Sequence, residues 1–354
     1  MKRTLFIAAV AITALAGCAK NEVLTSDQQE IAFSAAVGTA TKSVAGELTD
    51  TAYPTDEYFN VYAVWHNGDF AGWDAGSLYM DDVKTQYDAE LNGWTAIEKH
   101  YWPKNGKMTF AAYSPSDVNA ESHEYTATGL KLKGFQVEKD ATKHVDVLYS
   151  VRSYNKEKSS ENTNADYNEV DIDFKHALSS IQFTARTKFP YDGTDIRLQK
   201  ICVYGVYTKG DFDETIDETQ TGYVADPTWS NHSSRINKAQ PYIYYSNPEG
   251  KLLNDKRWVM NGQKNQTDVI CLPQPLPESA KAIVAYTINP PGDDTPAVNV
   301  TLEASLADIV GKEWKPGRRY TYNLVINLDE IYFAPEVEAW DDVTADADIP
   351  EVNY

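Results

Sequence analysis

The clearest pattern in the chain is an alternation of apolar and polar residues near its C-terminal end, at residues 320–328. Tyr320, Tyr322, Leu324, Ile326 and Leu328 alternate there with Thr321, Asn323, Val325 and Asn327. Successive side chains of a β-strand point to opposite faces, so a period of two predicts a strand. The same period appears at 31–37, where Ile31, Phe33, Ala35 and Val37 share one face, and again at 58–65.

Further short strands are predicted where β-branched and aromatic residues cluster between turn residues. They lie at 94–97, 108–113, 145–151, 172–174, 180–185, 196–207, 269–272 and 282–288. One short helix is predicted at 302–310, because Leu302, Leu306, Ile309 and Val310 would share a helical face. Many short strands without a regular strand–helix alternation predict an all-β fold built from sandwiches, with little helix.

The N-terminal segment has the form of a bacterial lipoprotein signal. Residues 5–15 are apolar except for Thr13 and follow two basic residues. A membrane span needs about 20 apolar residues, so this run is too short to be one and fits a signal-peptide core. It ends in Leu15-Ala16-Gly17-Cys18, which matches a lipobox. We therefore expect residues 1–17 to be removed between Gly17 and Cys18, with Cys18 carrying the lipid that anchors the protein to the outer membrane.

The remaining length, about 337 residues, is long for one hydrophobic core and natural for two domains. Residues 153–169 contain almost no large aliphatic side chains and are the best candidate for the boundary. The predicted domains are therefore 18–160 and 161–354. A long hairpin loop within a single domain is the alternative interpretation of the same stretch.

The charge balance excludes several classes of partner. Loss of Lys2 and Arg3 with the signal leaves 30 basic and 52 acidic residues, a net charge of −22. Nucleic acid and anionic membranes both attract basic surfaces, so neither is an expected ligand. An acid excess of this size keeps an exposed protein soluble.

Motifs for catalysis, cofactors or metals are missing from the sequence. It contains no Gly-x-Ser-x-Gly, no His-Glu-x-x-His, no phosphate loop and no cysteine pair with zinc spacing. His176 is interpreted as a packing or hydrogen-bonding residue. The chain is therefore predicted not to be an enzyme and to need no cofactor.

Three other groups of residues leave alternatives open. The acidic segment 211–218 lacks the glycine and terminal glutamate of an EF-hand, so it is interpreted as a solvated loop, with a weak surface calcium site as the alternative. Trp73, Trp94, Trp229 and Trp258 are either core residues or platforms for sugar rings. Cys202 and Cys271 either form a disulfide, which an extracytoplasmic compartment permits, or remain buried thiols.

Five segments in order along the chain resemble the fimbrillin superfamily, the subunits of type V pili. They are Ile31-Ala32-Phe33-Ser34 with Thr41-Lys42-Ser43; Tyr101-Trp102-Pro103 with 109–115; Asp146-Val147-Leu148-Tyr149-Ser150; Phe174-Lys175-His176-Ala177-Leu178; and Trp314-Lys315-Pro316-Gly317 before Tyr320 and a final Trp340. The resemblance implies two transthyretin-like β-sandwich domains of Greek-key type in tandem. It also implies lipoprotein export, display on the cell surface, removal of the first strand by a trypsin-like protease, and polymerisation by strand exchange with other pilus subunits.

Two segments acquire expected roles from this resemblance. The bond between Lys42 and Ser43 is the expected maturation cut, because Lys42 is the only lysine or arginine between Lys20 and Lys84 and follows the removable strand at 30–37. The donor strand is expected at 331–343, where Pro335 interrupts an otherwise apolar alternation. Shaft, tip and anchor roles stay open, as does an adhesion ligand on a host. The alternative function is a monomeric surface lipoprotein that binds glycans.

Overall fold

The computed structural model describes residues 29–37, 51–158, 169–188, 193–254, 256–259, 267, 269–292, 295–308, 312–326 and 331–339. The predicted signal peptide, Cys18, Lys42, Ser43 and Trp340 lie outside these residues. Within them the chain forms strands and two short 3-10 helices, Trp73–Ala75 and Ala141–Lys143. Neither helix is long or apolar enough to cross a membrane.

The strands are numbered in chain order. The first twelve are β1 Ala32–Val37, β2 Thr51–Ala52, β3 Phe59–His66, β4 Ser77–Asp88, β5 Gly93–Ala96, β6 Lys107–Ser114, β7 Ser122–Thr126, β8 Gly129–Gln136, β9 Leu148–Ser150, β10 Ser153–Lys156, β11 Glu169–His176 and β12 Ser179–Thr187. The other twelve are β13 Asp195–Tyr204, β14 Tyr207–Asp213, β15 Thr228–Arg235, β16 Tyr242–Leu253, β17 Trp258–Val259, β18 Val269–Cys271, β19 Gln274–Pro275, β20 Lys281–Asn289, β21 Val298–Ser305, β22 Glu313–Trp314, β23 Arg318–Ile326 and β24 Ile331–Ala339.

A closed circuit of strands surrounds the first core. The order is β3, β4, β5, β1, β11, β9 and β6, and β6 returns to β3. We call this circuit the ring. Because closure leaves no free sheet edge along the circuit, its main-chain donors and acceptors pair with each other. The interior is filled by aromatic residues, among them Phe33, Phe59, Phe110 and Phe174, whose rings meet mostly edge to face.

Strands β3 and β6 belong to two cores at once. Val61 and Ala63 of β3 face the ring interior, whereas the intervening Tyr62 and Val64 join a second, larger core. A strand buried on both faces shows a nearly continuous apolar sequence, as β3 does. The ring is thus packed directly against the rest of the molecule.

The second core lies between the remaining sheets. Their strand orders are β17-β12-β23-β24, with β18 added to β12; β16-β13-β20-β21; β15-β14-β8-β7; and the small pair β19-β22. Phe183, Tyr244 and Tyr322 pack together between the first two of these sheets. The predicted all-β sandwich class is confirmed.

The predicted helix at 302–310 is wrong. Residues 298–305 form β21, which pairs with β20 over its whole length, from Val298 opposite Ile288 to Ser305 opposite Lys281. Val298, Val300 and Leu302 alternate with polar residues, which is the pattern of a strand that pairs with the edge of β20. The four apolar residues on which the helix prediction depended are too few to outweigh this pattern. Residues 309–311 are outside the described part of the chain.

The stretch predicted to separate two domains begins and ends in strands. Ser153–Lys156 forms β10 on the edge of β6, and β11 begins at Glu169; residues 159–168 are not described. β11 pairs with β1 and β9 in the ring, and β8 pairs with β14 across the predicted boundary. The division into 18–160 and 161–354, each a transthyretin-like unit, stays a prediction.

Candidate functional site

Strand β1 occupies a slot in the wall of the ring. On one side it runs parallel to β11 in six residue pairs, from Ala32 opposite Glu169 to Val37 opposite Phe174. On the other side it runs antiparallel to β5 at Ala32 and Phe33, and to β2 at Ala36 and Val37. Without β1, the ring would be open between β5 and β11.

Main-chain hydrogen bonds extend this pairing beyond the strand itself. Ile31 N donates to the carbonyl of His100 at 2.9 Å, and Trp102 N donates to the carbonyl of Gln29 at 2.9 Å. Tyr53 N donates to the carbonyl of Ala35 at 3.1 Å. The backbone of residues 29–37 is therefore bonded both to the ring and to the segments that follow β2 and β5.

The side chains of β1 complete the ring core. Ile31 and Phe33 are 0% exposed, and Ala35 is also buried. The Phe33 ring meets Phe110 edge to face with centroids 5.8 Å apart. Full burial of an Ile or Phe side chain contributes about 1.5–3 kcal/mol, so removal of β1 would leave an apolar slot with a substantial tendency to be refilled.

The opposite face of β1 carries small residues. Ala32, Ser34 and Ala36 alternate with the core residues; Ala32 is nevertheless only 2% exposed, and the Ser34 hydroxyl donates to Asp171 Oδ1 at 2.7 Å. At Gly93, beside the slot, a Cβ atom would lie 3.3 Å from the Phe33 carbonyl oxygen and 2.8 Å from Glu169 Oε1. A side chain at this position would therefore displace the Glu169 carboxylate and crowd the backbone of β1.

Two tryptophans line the slot with unpaired donors. The Nε1 atoms of Trp94 and Trp102 are buried and have no hydrogen-bond partner among the described residues. Trp94 packs against Tyr53, Phe59 and Tyr87. Buried polar atoms are usually paired, so these two indoles are an unusual feature of the wall around β1.

Strand β24 contains most of the predicted donor segment 331–343. It is antiparallel to β23 in nine residue pairs, from Arg318 opposite Ala339 to Ile326 opposite Ile331. It lies at the end of the order β17-β12-β23-β24, so within the described residues it has one strand neighbour. The end of the described chain therefore occupies a sheet edge.

Residues 46–340 match the model of the family described as fimbrillin-like. The match covers well over half of the chain. This protein belongs to the fimbrillin-like family. The resemblance inferred from the five sequence segments is confirmed.

The chain is also similar to several solved structures. A fimbrial protein from Bacteroides vulgatus is similar with a TM-score of 0.52 at 15% identity, covering 88% of this chain and 100% of that one. A Bacteroides uniformis protein proposed to act in cell adhesion gives 0.47 at 16% identity, with 88% and 99% coverage. The fimbrial anchor protein Mfa2 from Porphyromonas gingivalis gives 0.32 at 12% identity, with 88% and 98% coverage. No curated protein matches the sequence.

The tryptophans considered as sugar platforms are largely enclosed in this fimbrillin-like chain. Trp73 and Trp94 are only 5% and 6% exposed. Trp229 is half-buried, and its Nε1 donates to the carbonyl of Ala177 at 2.7 Å. Trp258 is also half-buried and contacts Tyr245. The four residues do not form one surface, since Trp94 belongs to the ring core and Trp229 packs on the second core.

The interpretation of 211–218 as a solvated loop is wrong for much of the segment. Asp211 and Asp213 belong to β14, and Glu214 is completely buried. Glu214 Oε2 accepts from Leu130 N at 2.7 Å, and its Oε1 accepts from the Tyr223 hydroxyl at 2.6 Å. Burial raises the pKa of Glu214 to about 7, against the opposing effect of these two hydrogen bonds. Among the described residues, no group of three or more His, Cys, Asp or Glu side chains is arranged to hold a metal ion.

A buried arginine that sequence reasoning did not single out joins this segment to the ring. Arg152 follows β9, and its guanidinium pairs with Glu218 and donates to the carbonyls of Thr126 and Ala127. It also lies over the Trp73 ring, 4.7 Å from the centroid. Nothing in the local sequence around residue 152 distinguishes it from an exposed arginine, because all of its partners come from distant segments.

Cys202 and Cys271 are free thiols, and both are buried. The alternative of a disulfide between them is therefore not realised in this structure. Burial raises the pKa of each thiol above its ordinary value. His176 Nδ1 is hydrogen-bonded to Asp146 Oδ2, which confirms its interpretation as a hydrogen-bonding residue.

Proposed function

We propose that this chain is a structural or adhesive subunit of a cell-surface pilus, assembled by exchange of β1 for a strand of another subunit. One observation carries the proposal: in a fimbrillin-like chain, a short strand before residue 38 fills the apolar slot of an otherwise complete ring. An open slot presents unpaired N–H and C=O groups and an apolar groove, which a strand from a second chain can fill.

The sequence around β1 supports a cut after Lys42. β1 ends at Val37, and Lys42 follows within a segment rich in small residues. Hydrolysis of the Lys42–Ser43 bond by a trypsin-like protease would leave β1 held only by noncovalent contacts. The head-to-tail contact that follows does not close on itself, so repetition gives a filament.

Export as a lipoprotein through Cys18 belongs to the same proposal. A single acyl chain anchors a protein only marginally, so a stable anchor requires the two or three chains of a bacterial lipoprotein. The partners are other pilus subunits and, through the lipid, the outer membrane. Cys18→Ser is expected to accumulate as unprocessed precursor in cells, and a mature, unmodified N-terminus beyond residue 18 in cells without surface protease would contradict the anchor.

Electron microscopy of the soluble chain before and after limited trypsin tests the assembly. Wild type is expected to form filaments only after treatment, and Lys42→Ala is expected to remain monomeric. Lys104→Ala, at an exposed lysine between β5 and β6, is the control and is expected to behave as wild type. Equal filament formation by Lys42→Ala and wild type would refute the cut, and no filaments from treated wild type would refute the exchange.

A glycan-binding monomer is not proposed, because no observation favours it. Two of the four candidate tryptophans are buried, and Trp229 uses its indole N–H within the protein. An enzymatic function is likewise not proposed for a chain of this family.

A further inference from the structure

Three of the first seven residues of β24 are identical to residues 31–37, the segment of β1 and the residue before it, at an offset of 300. Residues 31–37 are Ile-Ala-Phe-Ser-Ala-Ala-Val, and residues 331–337 are Ile-Tyr-Phe-Ala-Pro-Glu-Val. The first, third and seventh residues are identical. Ile31, directly before β1, and Phe33 within it are both 0% exposed in the ring core.

We propose that β24 of a second copy of this chain takes the place of β1 in the same direction and at this offset. Ile331 would occupy the position of Ile31, Phe333 that of Phe33, and Val337 that of Val37. This inference rests on the proposed strand exchange and adds to it the direction and register of the incoming strand.

The shape of the slot favours this direction over the reverse. Phe33 occupies an aromatic pocket. The centroids of the Phe59 and Phe110 side-chain rings lie 6.3 and 5.8 Å from that of Phe33. In the same direction Phe333 refills it. The reversed strand can be compared with residue 334 kept at the position of Ser34. Pro335 would then lie in the Phe33 pocket, and Phe333 would lie at the position of Ala35. A one-residue slip would turn the apolar residues to the outer face.

The backbone of β1 shows why a proline is acceptable at the fifth position. Ile31 N donates to His100 and the Ala35 carbonyl accepts from Tyr53 N, so these residues direct their polar groups away from β11. Alternate residues of a strand form hydrogen bonds to opposite neighbours. The N–H and C=O groups of residues 32, 34 and 36 are therefore the ones that bond to β11. Pro335 at the position of Ala35 therefore removes no donor from that ladder. β5, on the other side, pairs only as far as Phe33.

The other face of the strand opposes this register at one position, since Ala32 is only 2% exposed and Tyr332 would need its neighbours to move aside. Tyr332, Ala334 and Glu336 would replace Ala32, Ser34 and Ala36. The hydrogen bond from Ser34 to Asp171 would be lost, and Glu336 would stand opposite Asp173, a like charge. Direction and register thus depend on the apolar residues that enter the core.

Disulfide trapping in trypsin-assembled filaments distinguishes the two directions. The soluble chain with Cys202→Ala and Cys271→Ala serves as background. Glu169 and Asp173 lie opposite Ala32 and Ala36 in the parallel ladder. The same-direction pairs are therefore Glu169→Cys with Tyr332→Cys, and Asp173→Cys with Glu336→Cys. The reversed pairs, Glu169→Cys with Glu336→Cys and Asp173→Cys with Tyr332→Cys, use the same four positions and are the matched controls.

Oxidised filaments are separated on a non-reducing denaturing gel, where intersubunit bonds give a ladder of covalent oligomers and intrachain bonds do not. The same-direction pairs are expected to give at least a tenfold larger oligomer fraction than the reversed pairs, and none before trypsin. Covalent oligomers from the reversed pairs would overturn the proposed direction and register. Filaments that form but give no covalent oligomers with any pair would overturn them as well. Neither result would contradict strand exchange itself. If the background chain forms no filaments after trypsin, the proposed function fails and this inference falls with it.

Discussion

Glu214 shows how a single residue can differ from what its sequence neighbours indicate. It stands among Asp211, Asp213, Asp217 and Glu218, a composition typical of an exposed loop. In the fold its carboxyl is buried at the place where the segment after β14 crosses β8, and it accepts from Leu130 N and the Tyr223 hydroxyl. The donors come from residues 84 and 9 positions away, so local sequence patterns could not reveal the burial.

The raised pKa of Glu214 makes stability depend on pH. Because the folded-state pKa is about 7 and the ordinary value is 4.5, the folded protein binds the proton more tightly than the unfolded chain. This contribution is complete below about pH 4.5 and is lost as the pH rises through 7. Glu214→Gln should remove the dependence and stabilise the protein at pH 8 by a few kcal/mol relative to wild type, since one pKa unit corresponds to about 1.4 kcal/mol.

Urea unfolding at pH 5 and pH 8 measures this effect. The glutamine side chain can accept from Leu130 N and donate to the Tyr223 oxygen, so the variant is expected to keep the local hydrogen bonds. Glu124→Gln, at an exposed carboxyl on β7, is the control and should change little at either pH. A Glu214→Gln variant that retains the wild-type difference between pH 5 and pH 8 would show that another group causes it.

At the scale of elements, the sequence predicted best those strands that have one clearly apolar face. β1, β3 and β23 were located within one or two residues because their buried positions alternate. β4 was not predicted: its pairing with β3 has register shifts, and Asp82 within it has a positive φ of 55°. β15 was missed because most of its residues are exposed and polar. Irregular or exposed strands depend on neighbours that a local pattern does not contain.

Phe33 places the largest side chain of β1 in the ring core. Its ring is fully buried among Phe59 and Phe110, and a Phe-to-Ala change in a core typically costs about 3–5 kcal/mol. Phe33→Ala should therefore lower the free energy of unfolding by this amount and speed hydrogen exchange at the amides of β1. Denaturant unfolding and native-state hydrogen exchange measure the two effects.

Ser34→Ala is the matched control on the other face of the same strand. It removes one hydrogen bond, to Asp171, at an exposed site, so a cost of no more than about 1 kcal/mol is expected. If the two variants lose similar stability, the apolar face of β1 does not dominate its attachment. The prediction that Phe33→Ala costs about 3–5 kcal/mol through its loss from the core would then be wrong.

At the scale of the whole molecule, the two halves of the sequence are interleaved. The sheet β15-β14-β8-β7 takes two strands from before residue 153 and two from after residue 169. β11 completes the ring, and Arg152 pairs with Glu218 across the same division. The pairing of strands from either side of 153–169 could not be predicted from the composition of that stretch, because register across long separations depends on the complete fold.

This interleaving predicts that a cut between residues 159 and 168 will not separate the molecule. A recognition sequence for a site-specific protease, inserted between Asn162 and Thr163, allows that cut without touching Lys42. The two fragments should appear on a denaturing gel yet elute together in gel filtration at neutral pH, because β11 remains paired with β1 and β9, and β14 with β8. Uncut protein is the reference for elution volume, and cut protein in urea shows where separated fragments elute. Separation under native conditions would mean that the two halves fold and persist independently, as two tandem domains joined by a linker would.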